Sequence, residues 1–227
     1  MELINQAKKN YNKNFAKECY FERAIFLSWY CSKGDCKFCF MSTQKDKIEN
    51  PDLAKRKPES LLTEYIICLA CNWNVEFLSA GSGSYTVDEL IDLIKKFQLI
   101  KDEKFWINTG TYNKNQLIKL KPYINGVTGA VETIDKPLHD KLCPSKPLEK
   151  IETMFHHCNE LNLKKAITII IGLGETIKDF PKLKRFIKKY NVDRITFYSL
   201  NPHEGTPFKK SPEIDYYKKW IAKTRIK

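Results

Sequence analysis

Ala166-Ile-Thr-Ile-Ile-Ile171 is a near-continuous run of β-branched residues. A strand with one wet face alternates apolar and polar side chains. A strand apolar throughout is covered on both faces, the pattern of a parallel sheet. Working outward, residues 179–190 read as a helix, residues 194–199 as a strand and residues 212–223 as a last helix. Upstream, a helix over 148–161 follows a strand over 126–131 that ends at Glu132. Before it lie a helix over 113–120 and a strand over 104–108. Thr86 stands three residues before Glu89, a capping-box arrangement that starts another helix. A short strand over 75–79 precedes it, ending in Ala-Gly-Ser-Gly-Ser. Pro58-Glu-Ser-Leu-Leu-Thr-Glu opens a helix to about residue 72, with proline and an acidic residue in its first turn. Residues 23–29 form the first strand and residues 1–17 an N-terminal helix.

Six strand–helix units predict an α/β fold, a partial (βα)6 barrel of the TIM type, left open because a closed one takes eight. The expected organisation is an N-terminal helical segment over residues 1–22 and one barrel domain over 23–227. Functional residues belong at the C-terminal strand ends, where the βα loops converge.

Composition narrows the class. With 42% hydrophobic and 29% charged residues the chain reads as soluble and globular. No apolar run nears the roughly 20 residues of a membrane span, and the first ten residues lack the apolar core of a signal peptide, so a cytoplasmic location without membrane contact is expected. The net charge of +12 raises nucleic acid as a partner. The lysines are scattered over every helix rather than massed, however, so a solvated surface is the better reading, and an acidic electron donor or anionic substrate the next. Eight cysteines in a reducing compartment point to metal rather than to disulfides.

Three of them share one loop after the first strand, Cys31-Ser-Lys-Gly-Asp-Cys36-Lys-Phe-Cys39. Three thiolates suit a soft metal centre, and they are one fewer than a closed four-thiolate site, so an iron–sulfur cluster here would keep one open iron. A zinc site with a distant fourth ligand and a purely structural cysteine group are the alternatives. Cys68 and Cys71 form a Cys-x2-Cys pair in an apolar helical stretch. They read as core thiols more than as ligands of a second cluster, since free cysteine packs as a small hydrophobe. Cys19, Cys143 and Cys158 read the same way, Cys143 least clearly.

With this loop placed after the first of six βα units, the chain resembles the radical S-adenosylmethionine (SAM) superfamily over nearly its whole length. Three further stretches resemble the branch containing biotin synthase, the iron–iron hydrogenase maturase and methylornithine synthase. They are Glu132-Thr-Ile-Asp-Lys-Pro-Leu-His-Asp-Lys-Leu-Cys-Pro, Ile169-Ile-Ile-Gly-Leu-Gly-Glu-Thr176 and Ser199-Leu-Asn-Pro-His-Glu-Gly-Thr-Pro-Phe208. The chain departs from the usual Cys-x3-Cys-x2-Cys spacing by one residue between the first two cysteines, which a loop absorbs at little entropic cost.

The resemblance implies a [4Fe–4S] cluster on Cys31, Cys36 and Cys39. SAM would bind the open iron and be cleaved reductively to a 5′-deoxyadenosyl radical that takes hydrogen from substrate. It places Phe38 near the SAM adenine and Gly81 and Ser82 at the SAM amino group, although the acidic residue usual there is missing. Glu132 would meet the ribose or amino group, and Lys150 the carboxylate. Ile170 would pack on adenine with room left by Gly172, and Glu175 would support that loop. Ser199 and Asn201 would contact adenine or the methionine moiety. Each has a plainer alternative in loop packing, capping or surface charge, and His203 reads as a bystander more than as a substrate contact. No catalytic residue beyond these is assigned. The implied partners are a small-molecule substrate and reduced ferredoxin or flavodoxin as electron donor, with cofactor biosynthesis in an anaerobe as the setting. The competing functions are radical SAM modification of RNA or protein, and a non-catalytic iron–sulfur electron-transfer module.

Overall fold

The computed structural model describes residues 2–226. Six parallel strands form one sheet in strict chain order: β1 (Glu22–Ser28), β2 (Asn74–Ala80), β3 (Phe105–Asn108), β4 (Ile124–Glu132), β5 (Lys164–Ile171) and β6 (Arg194–Ser199). Parallel neighbours require crossovers. Helices α3 (Pro58–Ala70), α4 (Val87–Gln98), α5 (Lys114–Leu120), α7 (Leu148–Glu160) and α8 (Phe180–Tyr190) lie in them. The remaining helices are α1 (Glu2–Asn14), α2 (Phe40–Gln44), α6 (Lys136–Leu142) and α9 (Ile214–Arg225). The strands curl into a half-barrel with β1 and β6 at its open edges. Side chains cross the opening: Arg194 of β6 pairs with Glu22 of β1.

Two layers separate on β5. Ile167, Ile169 and Ile171 are at most 3% exposed and pack into the main apolar core with the helices. Thr168 and Ile170 turn to the lumen. This double coverage is why the segment lacks polar alternation. Helix α4 matches the layer with buried Leu90, Ile91, Leu93, Ile94 and Phe97. Each is worth about 1.5–3 kcal/mol relative to exposure. Its capping box is complete: Thr86 Oγ1 accepts from the Glu89 N–H at 3.2 Å, and Glu89 Oε2 accepts from the Thr86 N–H at 2.8 Å. Asn113 and Gln116 do the same for α5.

The N-terminal helix α1 packs against α9, burying Ala7. Two helices go beyond the sequence reading. Helix α2 follows Cys39 without a side-chain cap. The seven residues of α6 are capped by Asp135, whose carboxylate accepts from the Leu138 N–H at 3.3 Å. Neither is long enough to show an apolar period of its own. Among the described residues no helix is long and apolar enough to cross a membrane.

Candidate active site

The lumen opens at the C-terminal strand ends into a cavity of about 420 Å³ bordered by Cys31, Cys36 and Cys39. The cysteine loop is held there by its backbone. The Ser32 N–H and hydroxyl both donate to Ser82 O at 2.8 Å, Lys37 N–H donates to Leu142 O at 2.9 Å, and Ser84 Oγ donates to Tyr30 O at 2.5 Å. The approach of β2 to this loop explains Gly81. A Cβ there would sit 2.1 Å from Tyr30 O and 2.6 Å from Cys31 Cβ, so no larger residue fits.

Cys36 and Cys39 are partly buried beside Phe38, Leu142, Cys143, Leu173 and Leu200. A hydrogen bond with Cys143, then burial, pushes the Cys36 thiol up, and burial pushes up Cys39. The free protein thus holds these sulfurs protonated, and metal entry must release protons. The donor set fits an iron–sulfur cluster. It is soft, has an apolar wall of the kind that tunes such centres, and borders a cavity rather than converging on one point. Among the described residues no three His, Cys, Asp or Glu side chains come together as a site for a single ion.

Glu132 ends β4 in a left-handed backbone conformation, φ +61°, rare outside glycine and costing about 1–3 kcal/mol. It lies where the ladder slips: Gly129 pairs with Ile167, but Glu132 with Ile169. Its Oε1 accepts from Lys146 Nζ at 3.1 Å and its Oε2 from Thr168 Oγ1 at 3.3 Å. Burial pulls the Lys146 ammonium down, but the Glu132 carboxylate more than reverses this and holds it above the ordinary lysine range. Burial, then the charges of Lys150 and Lys146, lower Lys33. The cysteine end of the cavity is therefore cationic around one pinned carboxylate.

Of the residues expected from sequence, the three cysteines, Phe38, Gly81, Ser82, Glu132 and Ile170 border this cavity. Four others do not. Lys150 is exposed on the first turn of α7, and the lysines that line the cavity are Lys33 and Lys146. Ser199 and Asn201 are exposed. Gly172, at φ +109°, forms a turn against Pro212. Glu175 closes that turn, accepting from Gly172 N–H at 2.9 Å and Leu173 N–H at 2.8 Å. Lumen residues absent from the sequence reading include Glu76, Lys33, Asn108, Thr168 and Tyr198. A charged residue inside Val75-Glu-Phe-Leu was the available signal for the first. Cys68 is buried on α3 and Cys71 exposed at its end.

The family model of the Radical SAM superfamily matches residues 28–187. An uncharacterised protein of Methanocaldococcus jannaschii is 41% identical over 231 residues, covering 99% of this chain and 64% of its own length. Biotin synthase of Methanococcus vannielii is 29% identical over 92% of this chain and 63% of its own. The chain thus spans less than two thirds of these relatives. The crystal structure of methylornithine synthase superposes with a TM-score of 0.83 at 19% identity, over 99% of this chain and 67% of that one.

Proposed function

The chain belongs to the radical SAM superfamily, whose cofactors are a [4Fe–4S] cluster and SAM, and from this we propose that it cleaves SAM reductively and removes hydrogen from a small molecule held in the lumen. The observation carrying the reading is the placement of all three loop cysteines on one cavity that continues into the barrel. In this reading Cys31, Cys36 and Cys39 hold the cluster and leave one iron for SAM. When bound, the pair supplies one-electron chemistry with 5′-deoxyadenosine as a product, and the protein orients and shields.

The chain's own groups divide the remaining work. Lys146, held charged by Glu132, offers a single-point cation to a carboxylate, the role the sequence suggested for Lys150. Glu132 accepts from ribose or amino donors. Phe38, Gly81, Ser82 and Ile170 shape the adenosyl and methionyl walls. A reduced ferredoxin or flavodoxin serves as electron donor, drawn by the basic surface. The cavity of about 420 Å³ is of small-molecule size, which favours a small substrate over RNA or protein, and cofactor biosynthesis is the setting we favour.

The test is anaerobic reconstitution with iron and sulfide, addition of SAM and a reductant, and a search for 5′-deoxyadenosine. Wild-type protein is expected to turn brown and form it. Cys36→Ala is expected to lose both the absorbance and the product. Product retained by the variant would refute the ligand assignment. A coloured wild type that never forms product would favour the electron-transfer module.

A further inference from the structure

One lumen carboxylate has no part in the site above. Glu76 sits on β2 at a break in register: Arg23 of β1 pairs with Val75, but the next residue, Ala24, pairs with Phe77. Glu76 is the extra residue of a β-bulge. Strict alternation would turn Glu76 and Phe77 to opposite faces, yet both border the cavity. Bulges re-aim side chains in this way beside active sites.

Glu76 is 7% exposed. Its Oε1 accepts from Thr196 Oγ1 at 2.8 Å, and Arg194 Nη2 stands 3.8 Å from the same oxygen while pairing with Glu22. Among the described residues, Oε2 has Tyr198 Oη at 3.4 Å as its donor, a single hydroxyl proton shared with Oε1 at the same distance. The first oxygen ties β2 to β6 across the lumen. The second has one long, shared donor on a buried carboxylate that borders the cavity. Such an atom is costly unless a donor meets it, and a cationic donor meets it best. The wall from Glu76 toward the cysteine end is largely apolar, made by Ala24, Phe26, Phe77, Ala130 and Ile170. Glu76 lies four residues below Ala80, about 13 Å along the strand.

We propose that Glu76 binds the ammonium group of the substrate and that the substrate is an aliphatic amine, its head on Glu76 and its carbon chain rising along the apolar wall toward the cysteines. The reading of the cysteine end as the reacting end rests on the proposed function. The ammonium site itself rests on the bulge, the burial and the half-satisfied carboxylate.

The test uses anaerobically reconstituted protein with SAM and three probes sharing one carbon chain: n-pentylamine, pentan-1-ol and pentanoate. The thermal midpoint is followed against probe concentration. Pentylamine is expected to raise it saturably and the other two are not. Glu76→Gln keeps the shape and removes the charge, and is expected to weaken pentylamine roughly tenfold or more. Glu76→Asp keeps the charge and is expected to keep the preference for amine over alcohol. If Glu76→Gln does not fold, Glu76→Asp decides, and loss of that preference overturns the site. The proposal is equally overturned by equal stabilisation from all probes, by preference for pentanoate, by absence of amine binding, or by pentylamine binding unchanged in Glu76→Gln. Absence of 5′-deoxyadenosine from wild-type protein would strike the proposed function instead.

Discussion

The two faces of the half-barrel obey different rules. Toward the helices, β5 presents Ile167, Ile169 and Ile171 to a continuous hydrocarbon layer. Toward the lumen, the same sheet carries Thr168, Glu132 and Glu76, each buried and each tied to another polar group. The outer face is built by period and volume, so many apolar side chains of similar size would serve it. The inner face is built by exceptions: a bulge at Glu76, a register slip before Glu132, and a positive φ at Glu132 itself. Stability resides in the first face and chemistry in the second.

Substitutions on each side sharpen that division. The largest expected effect is the complete loss of cluster absorbance and of 5′-deoxyadenosine in Cys36→Ala, with little change in the unfolding midpoint of the metal-free protein. Ile167→Ala on the outer face should do the reverse. It opens a cavity at a fully buried site and should cost about 2–5 kcal/mol in a denaturant titration, while protein still folded loads its cluster. Equal damage to stability and loading from both variants would break the comparison.

His139 tests the border between the faces. It lies on α6, one turn before Cys143, is 0% exposed, and neither ring nitrogen has a hydrogen-bond partner among the described residues. Burial, then the charge of Lys146, lowers it to about 4 from the ordinary 6.5. Between those values the unfolded chain binds a proton that the folded chain does not. The contribution is therefore fully present above pH 6.5 and is lost as pH falls toward 4, by up to about 3 kcal/mol. Thermal midpoints of wild type and His139→Leu, compared from pH 7 to 4, should diverge as pH falls, the wild type dropping relative to the variant. Parallel curves would show that this imidazole does not titrate with folding. The smallest effect belongs to a purely local device. Thr86→Ala removes one half of the α4 capping box and should cost about 1 kcal/mol with no change in cluster loading.

The same division decides what could be read from sequence. Strands and most helices of the outer layer follow from residues such as the β5 isoleucines and from caps such as Thr86, because periodicity and capping are local. The cysteine loop was legible because three thiols in nine residues have few other uses. Lys146 was not, since its value comes from Glu132, fourteen residues away, and one lysine among many carries no local mark. Glu76 escaped because a bulge is a relation between two strands. Ser199 and Asn201 are exposed where the motif suggested contact, since position after a strand does not fix where a side chain points.

Glu132 carries a last consequence. Its main chain sits where glycine would be at ease, yet its carboxylate is the shared acceptor of Lys146 and Thr168. Glycine at this position would relieve the backbone and orphan both partners. Main-chain comfort and side-chain usefulness pull there in opposite directions, so a screen for thermostability alone would tend to erode the pocket first at this point.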